Sequence, residues 1–148
     1  MKPEDALQFD NQICFPLYAA ANGVVRAYRP MLQELDLTYL QYMTLMLLWQ
    51  HKRMNVKALG ERMLLDSGTL TPLLKRLESK GLVTRTRDTE DERVRMIEVT
   101  PAGMALKVKA REIPGKLACS LGLDRDSAIQ IRQTCELLLA ALKDNRGE

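Results

Sequence analysis

A mainly α fold with a small β-hairpin is the class that the sequence predicts, and three observations lead to it. A short helical segment and a tight turn precede a second helix whose apolar stripe lies opposite a basic polar face. Two β-prone runs, 82–87 and 95–100, follow and are joined by a charged loop at 88–94. Longer helical segments lie on both sides of this region. Together these features predict a winged helix-turn-helix with N- and C-terminal dimerisation helices.

The composition is typical of a globular protein. The chain has 148 residues, of which 46% are apolar and 28% charged, and this length fits one domain with a real core. No apolar run approaches the roughly 20 residues that span a bilayer, and the N-terminus lacks a basic segment followed by an apolar run. We therefore expect a cytoplasmic protein with no membrane partner, whose three cysteines are thiols at rest.

The first two helices are marked by prolines and by a capping pattern. Residues 1–10 are polar and are expected to be partly loose. Pro16 predicts the start of the first helix, because proline suits a first helical turn, and Pro30 is expected to interrupt that helix near its end. Thr38, with Gln41 three residues later, predicts a capping box that opens the second helix.

The third and fourth helices form the predicted helix-turn-helix. Asn55 is a suitable cap for a short third helix, and a break is expected at 64–66. Leucines recur along the fourth helix at i, i+3, i+4 and i+7, and Gly81 marks its end. Proline is well tolerated only in the first turn of a helix, so Pro72 predicts that this helix starts between 67 and 71. The apolar stripe consists of Leu70, Leu73, Leu74 and Leu77.

The hairpin leads into the C-terminal helices. Thr100 followed by Pro101 predicts the cap and first turn of a fifth helix, which Pro114 kinks or breaks. Asp124 is a suitable cap for a sixth helix, along which apolar residues form a seam that needs a partner helix. We interpret Cys135 on that seam as a core residue. The other seam residues are Ala128, Ile131, Leu138 and Leu142.

The element order predicts a single domain over 1–148. Its winged helix-turn-helix core is expected at 36–100, and its dimerisation helices at 10–35 and 101–146. Basic charge is concentrated within the core: residues 52–87 have a net charge of +6, whereas the whole chain carries +3. This is the electrostatic footprint of a DNA-reading segment, and it is equally compatible with a solvated basic surface.

Several motifs resemble those of the multiple-antibiotic-resistance regulator (MarR) family. They cover nearly the whole chain and are highly specific in combination. The motifs are Val56-Lys57-Ala58-Leu59-Gly60, the run 67–78 (SGTLTPLLKRLE), Gly81-Leu82-Val83, Asp91-Glu92-Arg93 and Val99-Thr100-Pro101-Ala102-Gly103. The resemblance implies a winged-helix regulator that binds a near-palindromic double-stranded DNA operator as a homodimer.

The N-terminal segment is similar to that of the organic hydroperoxide resistance regulators within this family. The similarity rests on the runs 12–19 (QICFPLYA) and 37–42 (LTYLQY) and on Tyr28. It implies that organic hydroperoxide is the oxidising signal, that Cys14 is the sensor, and that Tyr28 and Tyr39 contact the thiol across the dimer. In a two-cysteine subclass a resolving cysteine lies in the fifth helix, where Cys119 falls here.

The residues around Cys14 suit a reactive thiol. Cys14 precedes Pro16 and so lies at a helix N-terminus, where backbone donors and the helix dipole favour the thiolate that attacks peroxides. Tyr18 offers a hydroxyl hydrogen bond, and Phe15 offers an apolar lining that suits an organic peroxide. Without the resemblance, the usual role of an unpaired cysteine is a small buried hydrophobe. Cys119 is compatible with either packing or a resolving role.

Candidate DNA contacts lie on both helices of the helix-turn-helix and in the wing. Short hydroxyl side chains suit base edges, and lysines and arginines suit phosphates. In the wing, Arg93 is expected to enter the minor groove with Asp91 orienting it, and Arg95 to contact the backbone. Capping by the two threonines, or a merely solvated face around the lysine of the fourth helix, are the alternatives. The helix candidates are Lys57, Ser67, Thr69, Thr71, Lys75 and Arg76.

These observations predict a peroxide-sensing transcriptional repressor, not an enzyme, with no cofactor. One alternative is a regulator of the same family that a non-covalent phenolic ligand releases. Another, from a different class, is a cysteine-based peroxidase, although no peroxidase motif surrounds Cys14. The three cysteines are widely separated and His51 is the only histidine, so no usual zinc site is expected. His51 is expected at an exposed helix end.

Overall fold

The described part of the chain is mainly helical with a small antiparallel sheet, which confirms the predicted fold class. The computed structural model describes residues 3–144, beginning with two 3-10 helices, Pro3–Leu7 and Phe9–Asn11. The helices are α1 (Cys14–Gln33), α2 (Tyr39–His51), α3 (Val56–Met63), α4 (Ser67–Ser79), α5 (Pro101–Ala110), α6 (Ile113–Leu121) and α7 (Arg125–Asp144). The strands are β1 (Arg53–Asn55), β2 (Val83–Arg87) and β3 (Arg95–Val99).

The N-terminal segment is more regular than the sequence suggests. Within the predicted loose stretch, the residues that the structure describes form the two 3-10 helices, and Gln12 Nε2 donates to the carbonyls of Ala6 at 2.7 Å and Gln8 at 2.9 Å. Helix α1 begins at Cys14, two residues before the predicted start, so Pro16 is its third residue and still lies in the first turn.

Pro30 lies inside α1 and does not interrupt it, so that prediction is wrong. The helix continues to Gln33. A proline removes only its own N–H from the helical ladder, and here that N–H would have bonded to the carbonyl of Arg26. Because Pro30 is so close to the helix end, one missing bond does not terminate the helix.

The core of the N-terminal part forms where α2 packs against the leucine stripe of α4. The predicted capping box starts α2: Thr38 Oγ1 accepts from the Gln41 N–H, and Gln41 Oε1 accepts from the Thr38 N–H. Each fully buried leucine contributes about 1.5–3 kcal/mol through burial. The most deeply buried apolar side chains include Tyr42, Leu45, Leu48, Leu59, Leu70, Leu74, Leu77 and Ile97.

The sheet has three strands in the order β1-β3-β2, all antiparallel. Strands β2 and β3 are the predicted hairpin. Strand β1 was not predicted, because three residues are too few to show an alternating pattern. Lys52 precedes it with a φ of 62°, which turns the chain out of α2, and Met54 pairs with Ile97 of β3.

The start of α5 is fixed by a close approach of backbone to backbone. Thr100 caps the helix by accepting from the Gly103 N–H at 3.1 Å, and it donates to the Gly81 carbonyl at 2.6 Å. A Cβ atom on Gly103 would lie 2.2 Å from the carbonyl oxygen of Leu82, so only glycine fits there. The indole N–H of Trp49 donates to the Gly103 carbonyl at 2.8 Å.

The described residues form two compact units that divide between Ile113 and Pro114. The predicted break of the fifth helix is confirmed, but it lies at 111–112: α5 ends at Ala110, and α6 begins at Ile113 with Pro114 in its first turn. Cys119, which was expected in the fifth helix, therefore lies on α6. In the second unit, Asp124 accepts from the Ser127 N–H at 2.7 Å, in front of α7. Among the residues that the structure describes, no helix is long and apolar enough to cross a membrane.

The seam of α7 is left uncovered by the described residues of the chain. Cys135 is exposed, so its interpretation as a core residue is wrong for the single chain. Ile131 and Leu142 are each 51% exposed as well. The helical spacing of the seam is confirmed, but spacing identifies an apolar face without showing that the same chain buries it.

Candidate nucleic-acid interface and cysteine site

Hydrogen bonds define both ends of α3, the first helix of the helix-turn-helix. Asn55 caps α3 by accepting from the Ala58 N–H at 2.6 Å. Leu64 then takes a left-handed conformation with a φ of 54°, and the Leu65 N–H donates to the Gly60 carbonyl at 3.0 Å. This is the bond pattern of a Schellman motif, which ends α3 sharply at the predicted break. The chain therefore leaves α3 through a hydrogen-bonded turn that leads directly into α4.

Asp66, and not a serine or threonine of α4, caps the fourth helix. Its carboxylate accepts from the Thr69 N–H at 2.7 Å. The hydroxyls of Ser67, Thr69 and Thr71 are exposed and have no hydrogen-bond partner in the part of the chain that the structure describes. The capping alternative for the two threonines is therefore wrong, and all three hydroxyls are available to a ligand. Pro72 lies inside α4, which begins at Ser67, the earliest of the predicted starts.

The basic residues of the core divide into paired and unpaired groups. Arg85 donates to Glu78 at 2.6 Å, Arg53 lies 3.6 Å from Asp88, and Lys80 bonds to Asp36. The unpaired candidates are exposed and form no ion pair among the described residues, so they suit phosphate contacts. We call the following set the reading face: Lys57, Ser67, Thr69, Thr71, Lys75 and Arg76.

The wing carries an arginine that is oriented by a neighbouring carboxylate. Arg93 donates to Asp91 through Nε at 3.1 Å, through Nη2 at 3.2 Å and through its backbone N–H at 3.0 Å, while its side chain stays 91% exposed. These bonds from Arg93 hold the pKa of Asp91 below its ordinary value, so the carboxylate is charged at neutral pH. Such a guanidinium can be inserted into a groove in a fixed orientation.

Sequence reasoning found Arg95 but missed its cross-strand neighbour. Arg95 on β3 is paired in register with Arg87 on β2, and both are exposed. Two like charges directly opposite repel each other unless an anion lies nearby. The predicted hairpin, if aligned residue by residue, would have identified Arg87.

Cys14 is the first residue of α1, and its side chain is exposed. No side chain caps this helix, because Ile13 occupies the cap position. The ring of Phe15 lies 4.5 Å from that of Phe9, and Tyr18, one turn further along, is 69% exposed. The thiol therefore lies at an uncapped helix N-terminus beside exposed aromatic side chains, as the sequence predicts.

The tyrosines expected at the sensor form a separate cluster within one chain. The ring of Tyr28 lies 5.2 Å from that of Tyr39 and 5.8 Å from that of Tyr42, a residue that sequence analysis did not single out. Burial, with the neighbouring Tyr39 and Tyr42, raises the pKa of Tyr28 to about 12, so its hydroxyl stays a donor. At 1.5 Å of rise per residue, Cys14 and Tyr28 are about 21 Å apart along α1. Only a second chain can bring these two side chains together.

The other two cysteines lie in the second unit. Cys119 on α6 and Cys135 on α7 are exposed free thiols, and no described cysteine is in a disulfide. Among the described residues, no cluster of histidine, cysteine or carboxylate side chains is suited to a metal ion. His51 is the exposed last residue of α2, as expected.

A cavity of about 720 Å³ lies among α1, α2 and α4, and no sequence pattern indicated it. Arg29 and Tyr39 contribute to one side, and Thr69 and Arg76 of the reading face contribute to the other. The remaining lining residues are Val25, Leu32, Gln33, Leu37, Thr38, Leu40, Gln41, Pro72 and Leu73. A small amphipathic molecule fits such a mixture of apolar walls and convergent polar groups.

Comparison with known proteins yields consistent matches. Residues 37–94 match the model of the MarR family. The organic hydroperoxide resistance transcriptional regulator of Bacillus subtilis (strain 168) is 45% identical over 139 residues, which cover 94% of this chain and 92% of that protein. Because this relative is aligned over almost its full length, the similarity includes the N-terminal cysteine segment as well as the helix-turn-helix.

Two solved structures of AbfR, a Staphylococcus epidermidis protein, are also similar. Reduced AbfR bound to DNA has a TM-score of 0.77 at 30% identity, covering 94% of this chain and 97% of that chain. Overoxidised AbfR bound to DNA has a TM-score of 0.76 at 28% identity, covering 94% and 98%.

Proposed function

The chain belongs to the MarR family of transcriptional regulators, and on that premise we propose that it is a peroxide-sensing repressor. It binds a near-palindromic operator as a homodimer and leaves it when organic hydroperoxide oxidises Cys14. The observation that carries the proposal is the exposed thiol of Cys14 at the uncapped start of α1. It stands in a chain that is 45% identical to an organic hydroperoxide resistance regulator over nearly its full length.

The reading face and the wing supply two kinds of contact. The unpartnered hydroxyls at the start of α4 suit base edges in the major groove, and Lys57, Lys75 and Arg76 suit the phosphates on either side. Arg93, oriented by Asp91, enters the minor groove, and Arg95 with Arg87 binds the backbone. In a homodimer two such surfaces lie about 34–36 Å apart, one helical turn of DNA.

The chemical step begins with the thiolate of Cys14. Its sulfur attacks the terminal oxygen of the hydroperoxide, the O–O bond breaks, and the alkoxide takes a proton and leaves as an alcohol. Sulfur is oxidised to a sulfenic acid and the peroxide is reduced. The thiol of Cys119 from the other subunit then attacks that sulfur, so that an S–S bond forms and water leaves.

Disulfide formation is linked to DNA release by geometry. The two Cα atoms must come within about 7 Å of each other for the bond to form. Helices of the dimer shift to allow this, and the distance between the two reading faces changes. The dimer can then contact only one half-site of the operator at a time, and repression is lost.

Two cysteine variants test this scheme. After cumene hydroperoxide, the wild-type protein should run as a crosslinked dimer on a non-reducing gel, and a reductant should reverse the crosslink. Cys119→Ser should give no crosslink but should gain oxygen atoms on Cys14, seen by intact-mass measurement. The control Cys135→Ser should crosslink as the wild type does. Equal crosslinking by Cys119→Ser, or no mass change in any variant, would contradict the scheme.

The cavity supports a second candidate function. A regulator of this family can instead be released by a non-covalent phenolic ligand, and a cavity of about 720 Å³ lined by Thr69 and Arg76 adjoins the reading face. In that case a phenol would weaken operator binding while the mass of the protein stayed unchanged, and Cys14→Ser would respond as the wild type does. The relatives in the comparison are transcriptional regulators, which disfavours the peroxidase alternative.

A further inference from the structure

The side chain of Lys80 connects the C-terminal end of α4, which we call the reading helix, to the turn between α1 and α2. It is the C-cap residue of α4, and its backbone N–H donates to the Arg76 carbonyl at 3.1 Å. Its ammonium group reaches three acceptors: the carbonyl oxygen of Asp36, the Asp36 carboxylate at 3.1 Å and Gln41 Oε1 at 3.4 Å. An ammonium group has three donors, so the turn residue Asp36 and Gln41 of α2 together satisfy all of them.

The acceptors of the Lys80 ammonium group are held in place by other contacts. The peptide group that carries the Asp36 carbonyl is held by the Leu37 N–H, which donates to the Leu32 carbonyl at 3.0 Å, and Gln41 is only 2% exposed. Gln41 Oε1 also accepts from the Thr38 N–H at 3.0 Å within the capping box. The Asp36 carboxylate is 91% exposed, so the ion pair itself contributes little. The bonds to the Asp36 carbonyl and to Gln41 therefore carry the connection.

The cavity explains why this connection matters. It separates parts of α1 from parts of α4, and both helices contribute to its lining. The leucine stripe holds α4 against the core by close packing, and hydrogen bonds at the C-terminal end of the helix add a directional constraint that apolar contact does not provide. The directional bonds of Lys80 supply that constraint, since they tie the end of α4 to the turn that follows α1.

We propose that Lys80 is a positioning residue for operator binding. Its hydrogen bonds set the position of α4. They also couple α4 to α1, so that a movement of α1 moves α4 although a cavity lies between parts of the two helices. The second half of this inference rests on the proposed function, whereas the first half concerns the reduced protein and needs no oxidation. Lys80 acts through α4 and does not itself bind a phosphate.

The test compares two lysines of the same helix region. Lys80→Met keeps the apolar stem and removes the donors, and Lys75→Met does the same on the reading face. With the reduced full-length protein and an operator selected from a random DNA library, Lys80→Met should bind about fivefold more weakly. Its salt dependence should equal that of the wild type. Lys75→Met should lower the log–log salt slope by about 0.9 for each phosphate that is no longer neutralised, or about 1.8 for a dimer.

A conservative substitution at Lys80 and measurements on the oxidised proteins complete the test. Lys80→Arg retains donors and should recover most of the affinity. After oxidation with cumene hydroperoxide, the oxidised-to-reduced ratio of Kd should be at least about twofold smaller for Lys80→Met than for the wild type. If Lys80→Met does not fold by circular dichroism, Lys80→Gln should show a smaller loss of the same kind.

Three results would overturn the inference. They are unchanged operator affinity in folded Lys80→Met or Lys80→Gln, a salt slope that falls for these variants as it does for Lys75→Met, and an unchanged oxidised-to-reduced ratio. A wild-type protein that stays on DNA after oxidation would instead contradict the proposed function, and the affinities of the reduced proteins would still decide whether Lys80 positions the reading helix.

Discussion

Asp91 and Arg93 form a local unit within the tip of the wing. A guanidinium that already has its orientation loses less freedom on entering a groove than a mobile one does. The two side-chain bonds between them, at 3.1 and 3.2 Å, leave other donors of the guanidinium free for DNA. The ion pair is exposed, so it is expected to add little to folding stability and to act on binding instead.

Arg93→Ala should therefore weaken operator binding and flatten its salt dependence. If the residue releases one counterion in each subunit, the log–log slope should fall by about 1.8 in a dimer. The measurement is fluorescence anisotropy over a salt series, with Arg132→Ala on α7 as a control that removes the same charge elsewhere. An unchanged slope for Arg93→Ala would remove this residue from the interface.

The pKa of Tyr28 predicts how stability responds to alkaline pH. Burial raises it to about 12, whereas tyrosine in an unfolded chain titrates near 10. The folded protein then holds the proton more tightly, so the contribution of Tyr28 is complete below about pH 10 and is lost as the pH rises to about 12. In urea titrations, Tyr28→Phe should show a shallower fall of the free energy of unfolding over this range. The exposed-site control Tyr18→Phe should keep the wild-type fall, and identical curves for all three proteins would contradict the prediction.

Among the elements, the start of α5 packs most closely against the chain that leads into the β2–β3 hairpin, so substitutions are tolerated least there. The backbone of Gly103 packs on Leu82, its N–H donates to Thr100 Oγ1, and its carbonyl accepts from the indole N–H of Trp49. The junction therefore connects α2, the hairpin and α5. A change there is expected to affect folding before it affects DNA binding.

Gly103→Ala should lower the free energy of unfolding by at least about 2 kcal/mol, because its Cβ would overlap the Leu82 carbonyl. Urea unfolding measures this directly. Gly115→Ala is the matched control, since a Cβ there meets nothing within 4 Å, and it should be neutral or stabilising by up to about 1 kcal/mol. Equal stabilities of the two variants would contradict the packing described for Gly103.

The sequence predicts elements best where the signal is local. The capping residues Thr38, Asn55 and Thr100 and the stripe of α4 depend on neighbours within a few residues, and each is confirmed. Strand β1 was missed because its partner, β3, lies more than 40 residues away and its own three residues carry no pattern.

The same limit applies to the candidate site. The helical spacing of the apolar residues predicted that the reading face is exposed. It did not predict which of the basic residues form ion pairs. Lys80 meets an acceptor 44 residues away, and the cavity depends on three helices packing together. Such long-range contacts leave no local trace in the sequence.

On the scale of the whole molecule, the exposed apolar surface predicts a second copy of the chain. On the seam of α7, Ile131 and Leu142 are each 51% exposed, and Leu137, on another face of the same helix, is 74% exposed. A contiguous exposed apolar patch of this kind marks a surface that a partner covers. If Tyr28 belongs to the sensor site as proposed, the distance of about 21 Å between Cys14 and Tyr28 along α1 requires that this tyrosine comes from a partner chain.

A charged substitution on α7 should separate the subunits. Ile131→Glu, on the seam of α7, is expected to convert a dimer of the 16.8 kDa chain into a monomer in sedimentation experiments. It should also weaken operator binding, because each monomer then binds a half-site alone. Gln133→Glu, an exposed polar position of the same helix, adds the same charge and should stay dimeric. A wild-type protein that sediments as a monomer would contradict the prediction.

The central claim is that oxidation of the Cys14 thiol controls the affinity for the operator. The most direct test is to measure this affinity before and after treatment with cumene hydroperoxide. The Kd of the wild-type protein should rise between about 5-fold and 150-fold, the usual range of allosteric coupling, and return after reduction. Cys14→Ser should bind with the affinity of the reduced wild type throughout. A wild-type Kd that does not change on oxidation, or a Cys14→Ser protein that is released as readily, would contradict the account.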